Sequence, residues 1–376
     1  MATHSPLYWP YMLHYVTAVR GLEAVEFGAL KAIYYVVCTV SEIPTGVVAD
    51  RIGRRAALVT GAALAALGTG AIALAHSFLE FAAGEACIGV STALMSGADS
   101  ALLYDSFEGD DRDRRYARAE GRSRAAAMIF STAALPLTDA FLVRDGDPAW
   151  AYVVTAGLCA TGIASALAMV EPRGASRPAA AEITRRAVGD VVRVPGIASL
   201  FLYGIAVYVM VRAANMSFFN PVLEGAGWPV DRFGSIFALL TLIGAASAWL
   251  APRLLDRLGE RAVVLAVPAA LVGMFMGLTF TRDALAVPAL LCVVGVVSGL
   301  HQPVLRVMIN RRAPSSERRA TLLSIESMGS RIVWSAVVVF TGWALDHWPL
   351  DGALWSTIGV GSVALLGAAA LRPRRT

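Results

Sequence analysis

The stretch EIPTGVVADRIGRR, from Glu42 to Arg55, decides how this chain folds. Gly46 stands four residues before Asp50, so both lie on one helix face, and a small residue there predicts a close helix approach. Gly53 then permits a tight turn. Basic side chains surround this turn: Arg51, Arg54 and Arg55. The pattern indicates two helices joined by a short, positively charged loop.

The composition places this loop at a membrane. Of 376 residues, 57% are hydrophobic and 16% are charged, whereas a soluble protein is about 25% charged. A window of span length predicts eleven apolar spans. We number them 2 to 12: 27–49, 56–75, 81–104, 123–143, 150–170, 198–220, 233–251, 262–281, 284–305, 320–345 and 353–371. The fold class is therefore all-α integral membrane.

A first span has only residues 6–19 available before Arg20. At about 1.5 Å per residue, these reach roughly 21 Å, short of a hydrocarbon core of about 30 Å. Two interpretations stay open: the true start lies upstream of Met1, or the first helix is shortened. With this span, the chain has about twelve transmembrane helices in two six-helix bundles.

The loop motif occurs a second time, after span 8. Asp256, Arg257, Gly259 and Arg261 in DRLGER follow their counterparts by 206 residues, while Arg54 is replaced by Glu260. This repeat predicts two halves related by a pseudo-two-fold axis. We expect an N-terminal half over 1–170, a cytoplasmic linker over 171–197 and a C-terminal half over 198–376. The linker is either a helix on the membrane surface or a solvated tether.

The basic residues fix the predicted orientation. Twenty-five of the 32 lie in the C-terminal tail and in the connections that follow the even-numbered spans 2, 4, 6, 8 and 10, counting Arg124 at the edge of span 5. Four lie in the loops on the other side of the membrane. Because cytoplasmic loops carry the excess of basic residues, we expect these connections and the C-terminus to be cytoplasmic. The protein is then a multi-pass protein of the inner membrane.

The pattern GxxxDRxGRR between spans 2 and 3 resembles the loop signature of the major facilitator superfamily. Two more stretches, SGADSALLYDS (96–106) and RRATLLS (318–324), resemble a bacterial exporter-like branch. The resemblance implies that spans 3, 6, 9 and 12 face lipid, spans 1, 4, 7 and 10 line a cavity, and spans 2, 5, 8 and 11 join the halves. It also implies that Asp50 caps span 11, and that Arg54 and Asp105 form a relay locking the cytoplasmic side.

The charges within spans agree with this arrangement. Spans 3, 6, 9 and 12 contain none, as helices against lipid should. The eight are Lys31, Glu42, Glu85, Asp99, Asp139, Arg212, Glu326 and Arg331. Lys31 is expected to snorkel to the outer surface. Asp139 is close enough to a span end to reach water.

Four of these residues are candidates for proton coupling: Glu42, Arg331, Glu326 and Asp139. Glu42 lies about 12 Å into the membrane and Arg331 roughly 16 Å. We hypothesise that these two pair in one conformation and separate in another; the alternative is a static ion pair. Candidates for contact with substrate in the cavity are His14, Glu85, Arg212, Asn215, His301 and Gln302, although a lone histidine such as His301 is often a packing residue.

Several classes of protein are excluded or disfavoured. A P-loop needs a Gly-Lys pair, but the one lysine follows Leu30, so no nucleotide is bound by that route. We expect no cofactor and no metal, and a net charge of +4 gives no reason to expect nucleic acid. The expected partners are a small-molecule substrate, protons and lipid, with the protein working as a monomer.

The predicted function is proton-coupled export of a metabolite or antibiotic by alternating access. Proton-coupled uptake and uniport are alternatives, and a membrane enzyme or sensor is a less favoured one. Two departures from drug exporters matter: Glu85 in GEACIG replaces an arginine, and FSTAALPLTDAFLV in span 5 lacks the expected glycines.

Overall fold

The fold is described here from a computed structural model, which covers residues 7–107, 109, 111–170, 196–312 and 316–370. The first element, α1, is a series of short turns over Trp9–Tyr11, Met12–His14 and Tyr15–Val19. Five longer helices follow: α2 (Ala24–Ile52), α3 (Arg54–Leu74), α4 (Phe78–Asp105), α5 (Arg112–Phe141) and α6 (Ala149–Leu167). The described part of this half is helical apart from short connections.

The second half repeats this order. Helix α7 runs through Ile197–Arg212, a π turn at Ala213–Phe218 and Phe219–Gly225. The run Phe233–Phe280 breaks at Gly259, whose φ is 76°, and we call its two parts α8 and α9. The remaining helices are α10 (Ala286–Arg312), α11 (Ser316–His347) and α12 (Leu350–Ala370). The all-α class and the two sets of helices are confirmed.

The chain forms two compact units. Unit 1 comprises Met1–Ser176 with Val230–Ala238, and unit 2 comprises Arg177–Pro229 with Leu239–Thr376. The first turns of α8 therefore belong to unit 1. The predicted linker, 171–197, falls almost wholly outside the described residues, so its predicted surface helix and the predicted boundaries stay predictions.

Two helices, α2 and α4, start with side chains that accept hydrogen bonds from free backbone amides. Glu23 and Glu26 form a capping box at the start of α2, and Ser77 and Glu80 form another at α4. Within the units, glycines bring helices into close contact. A Cβ added to Gly68 of α3 would lie 2.8 Å from the Gly84 carbonyl oxygen of α4, so larger residues would force these helices apart.

Among the residues that the structure describes, eight helical stretches are long and apolar enough to cross a membrane, the run through α8 and α9 counting as one. Large apolar side chains are exposed on α3, α6, α9 and α12, for example Leu67 and Leu265, and also on α2, α5 and α8, for example Val40, Ile129 and Trp249. Exposed apolar surface of this extent needs lipid around it. Exposure does not single out the four helices for which the sequence predicted lipid contact, so that assignment stays a prediction.

The connection between spans 4 and 5 is shorter than the predicted span ends imply. The hydropathy window ends span 4 at residue 104 and begins span 5 at residue 123, but α4 extends to Asp105 and α5 begins at Arg112. The hydropathy window detects where lipid contact ends, whereas a helix of Arg, Ala and Glu can continue into water because these residues favour helix. The same reason explains why α10 continues to Arg312.

Candidate functional site

A cluster of three charges lies where α3 and α5 begin and α4 ends. Arg54 donates a hydrogen bond to one carboxylate oxygen of Asp105, and Arg112 donates to the other at 2.7 Å. Burial raises the pKa of the Asp105 carboxyl, but the hydrogen bonds and positive charges of Arg54 and Arg112 outweigh it and hold the pKa below its usual value. The structure thus brings together the two residues assigned to the relay, whose locking role stays a prediction.

The rest of this loop motif is arranged around a sharp turn. Gly53 has φ 93° and ψ 150°, values that favour glycine. Arg51 is exposed, and Asp50 lies in the last turn of α2 with its side chain outside the described part. The close approach predicted at Gly46 is not seen, because a Cβ there would meet no described atom within 4 Å.

The second loop motif carries an ion pair of opposite polarity. Arg312, at the end of α10, donates to Glu260 at 2.5 Å, and Arg311 lies 4.0 Å from the same carboxylate. The turn again falls on a glycine, Gly259. Three residues of the motif are exposed: Asp256, Arg257 and Arg261.

A buried ion pair joins α2 and α4. The ammonium of Lys31 lies 2.5 Å from Oε1 of Glu85, and their side chains are 7% and 8% exposed. The expectation that Lys31 snorkels is therefore wrong, since an interior carboxylate holds its charge. Glu85 was predicted as a cavity residue, and the structure pairs it within unit 1.

Asp139 of α5 binds the first turn of α8. Its two oxygens accept the Gly234 amide at 2.8 Å and the Ser235 amide and hydroxyl, each at 2.6 Å. Tyr11 also donates to it, at 2.6 Å. A carboxylate is favoured at a helix N-terminus by the free amides and the helix dipole, so Asp139 has a clear structural role; its predicted proton coupling stays a prediction.

Unit 2 contains two buried polar candidates. Glu326 of α11 is 4% exposed and accepts a hydrogen bond from Ser330 at 2.9 Å. It packs against α7, where a Cβ added to Gly204 would lie 3.0 Å from its Oε1. His301 of α10 is also 4% exposed. Its ring centroid lies 6.1 Å from that of Tyr203.

Three of the other cavity candidates, His14, Arg212 and Asn215, lie at or next to π turns. Such turns are frequent at functional sites. His14 immediately precedes the π turn of α1 and bonds the Gly146 carbonyl oxygen at 3.0 Å. Arg212, which stacks 5.2 Å above the Tyr208 ring, immediately precedes the π turn of α7, and Asn215 lies within it. Gln302 is half-buried in α10. The π turns therefore fall in the first helix of each half.

Glu42 and Arg331 are half-buried, and they belong to different units. Their pairing stays a prediction. Three contacts were missed by sequence reasoning: Lys31 with Glu85, Tyr11 with Asp139, and Arg312 with Glu260. A signal existed for the last, because the exchange of Arg54 for Glu260 between the repeats calls for a partner of opposite charge.

Comparison with known proteins agrees with this architecture. Residues 4–322 match the sequence profile of the Major Facilitator Superfamily. A crystal structure of a mutant of the nucleoside transporter NupG is similar, with a TM-score of 0.82, 12% identity and coverage of 98% of this chain and 97% of that one. Another NupG structure has a TM-score of 0.78 and 13% identity over 100% and 96% of the two chains.

A bacterial homolog of the human lysosomal transporter Spinster, in an inward-facing and unoccupied conformation, is also similar. Its TM-score is 0.73, with 17% identity over 98% of this chain and 92% of that one. No curated protein matches the chain in sequence. The helices, the repeated loops and these likenesses in fold define a multi-pass membrane transporter. The chain belongs to the Major Facilitator Superfamily.

Proposed function

We propose that this transporter exports a small, partly apolar metabolite or antibiotic in exchange for protons, by alternating access. The observation that carries the proposal is the presence of three buried acidic side chains within membrane helices: Glu85, Asp139 and Glu326. Charged groups are costly at such positions, and in transporters they mark substrate and proton pathways.

The source of energy and the direction have separate support. The sequence offers no P-loop lysine, which favours an ion gradient over nucleotide hydrolysis. Export is favoured by the resemblance of the Asp50, Arg54 and Asp105 stretches to an exporter-like branch. We infer a cytoplasmic C-terminus, because most basic residues lie in the C-terminal tail and in the connections that follow even-numbered spans. We also propose that the protein works as a monomer in the inner membrane.

The proposal is tested by a substrate screen in proteoliposomes with an imposed pH gradient. The panel contains lipophilic antibiotics and aromatic metabolites, and Asp50→Ala serves as the expected inactive control. We expect at least one compound to move only when the gradient is present. Movement that is equally fast after the gradient is collapsed would contradict proton coupling.

Direction is decided with inside-out vesicles. If their acidified interior drives accumulation of the compound, the protein exports it. A second candidate is proton-coupled uptake, and the likeness in fold to a nucleoside transporter makes nucleosides the first probes for it. Accumulation in right-side-out vesicles with acid outside would establish uptake in place of export.

A further inference from the structure

The ion pair between Lys31 and Glu85 is unusual in its choice of cation. The chain has 32 basic residues, of which one is lysine and 31 are arginine. Among the buried charged side chains of the described residues, Lys31 is the one cation. In a sequence so biased toward arginine, a lysine at this position indicates that the site needs an ammonium group.

Lysine and arginine hold a carboxylate differently. The planar guanidinium of arginine can form two parallel hydrogen bonds to a carboxylate, whereas the ammonium is a point charge on a flexible stem. Here the ammonium contacts one oxygen, Oε1 of Glu85, at 2.5 Å. A contact at one oxygen can be released by neutralising that carboxylate, while a two-point contact with arginine would be harder to break.

The surroundings of the pair are aromatic. The Phe27 ring lies 5.4 Å from the Lys31 ammonium and can stabilise it after the carboxylate is neutralised. Two titratable groups interact with Glu85 from neighbouring segments: Tyr8, which immediately precedes α1, and Tyr152 of α6. Tyr34 of α2 and Cys159 of α6 in turn interact with Tyr8. Tyr8 stacks on Tyr152 with ring centroids 4.2 Å apart. The pair is therefore buried beside aromatic rings.

The depth of the pair indicates the side from which it is reached. Lys31 and Glu85 each lie seven residues after the start of their helices, which corresponds to about 10 Å. In the predicted orientation both helices start at the outer surface. The pair thus lies in the outer half of the membrane, on the side from which protons enter during export.

We propose that Lys31 and Glu85 form a proton-binding site of the transport cycle. A proton from the outer side binds a carboxylate oxygen of Glu85, forming an O–H bond, and the ion pair with Lys31 opens. Lys31 keeps its three protons and its positive charge. When the proton leaves toward the cytoplasm, the carboxylate is restored and the ion pair forms again. This inference rests on the proposed proton coupling.

The test uses the full-length protein in lipid vesicles with the proton itself as the probe. Infrared difference spectra between alkaline and acidic buffers report protonated carboxyl groups through their C=O band. We expect Glu85→Gln to remove part of this band. In Lys31→Arg, stronger acidification should be needed to produce the same part of the band, because the guanidinium can hold both carboxylate oxygens and is harder to displace.

The matched control is Glu326→Gln, which removes a buried carboxyl in the other unit. Lys31→Arg must still shift the remaining band in that background, and must cause no shift in the Glu85→Gln background. Should Glu85→Gln fail to fold, the double variant Lys31→Met with Glu85→Gln removes both charges together and replaces it. An unchanged band in Glu85→Gln, or a pH profile unmoved by Lys31→Arg, would overturn the site.

Failure of the site and failure of the proposed function are distinguishable. If wild-type transport ignores the pH gradient, proton coupling is wrong whatever the spectra show. If wild-type transport follows the gradient and the spectra lack a Glu85 contribution, only the site is wrong. In support of the site, the neutral double variant should exchange substrate at equilibrium but lose accumulation driven by the gradient.

Discussion

The two repeated loops have the same backbone and opposite charges. In unit 1 a basic residue follows the turn, and Arg54 binds Asp105 at the end of α4. In unit 2 an acidic residue follows it, and Glu260 binds Arg312 at the end of α10. Both turns use a glycine with positive φ, Gly53 and Gly259. The repeat keeps the contact and reverses its polarity.

The numbering supports a common origin of these contacts. Arg54 and Glu260 are separated by 206 residues, and so are Asp105 and Arg311, which lies 4.0 Å from Glu260. An ion pair needs opposite charges but does not specify which helix carries which sign. The comparison therefore predicts that unit 1 accepts a reversed pair, provided both members change together.

Asp105→Arg should have the largest effect. It removes both hydrogen-bonded contacts of the carboxylate and places three guanidinium groups together, so we expect a loss of about 2 to 3 kcal/mol of stability and loss of transport. The measurement is the midpoint of thermal unfolding in detergent, with transport in proteoliposomes.

The double variant Arg54→Glu with Asp105→Arg is the matched control. The introduced glutamate would face two arginines, the introduced one and Arg112, as Glu260 faces Arg311 and Arg312. We expect most of the lost stability to return. A double variant as unstable as Asp105→Arg would show that the polarity in unit 1 is fixed by something beyond this contact.

Sequence reasoning identified the helices and the loops but few of the contacts. Spans follow from hydropathy because lipid imposes one requirement along some 20 residues. The partner of Lys31 could not be inferred, since it depends on which faces of α2 and α4 meet. Asp139 illustrates the same limit: its position near a span end suggested water, whereas the fold brings the first amides of α8 to it. Two contacts had a signal in the sequence: the family resemblance paired Arg54 with Asp105, and the repeat placed Glu260 where a partner of opposite charge is needed.

The turns should respond equally to substitution in both loops. Gly53 and Gly259 combine φ of 93° and 76° with ψ of 150° and 159°, a region that other residues enter at a cost of about 1 to 3 kcal/mol. Gly53→Ala and Gly259→Ala should each lower the unfolding midpoint. Gly46→Ala is the control, because a helical Cβ there meets nothing within 4 Å. If alanine at either position leaves the unfolding midpoint unchanged, that turn does not require the φ and ψ values seen at its glycine.

Acid should remove the contribution of Asp105 to the stability of unit 1 within a defined pH range. The pKa of Asp105 is lowered in the folded protein, so its contribution is complete above the unfolded value of about 3.9 and is lost as pH falls through the folded value. Unfolding midpoints of wild type and Asp105→Asn should therefore run parallel from neutral pH to about 4 and converge below it. Convergence already near neutral pH would contradict the lowered pKa.

The smallest effect is expected at the second loop. The side chains of Arg312 and Glu260 are 34% and 28% exposed, against 14% and 18% for Arg54 and Asp105. Water and salt screen the more exposed pair, so Glu260→Gln should cost about 0.5 to 1 kcal/mol. Raising the ionic strength from about 0.1 M to 1 M shortens the screening length from roughly 10 Å to 3 Å. The difference between wild type and Glu260→Gln should then nearly vanish, whereas the difference between wild type and Asp105→Asn should persist. If both differences vanish together, exposure does not distinguish the two loops, and the reversed polarity is their one electrostatic difference.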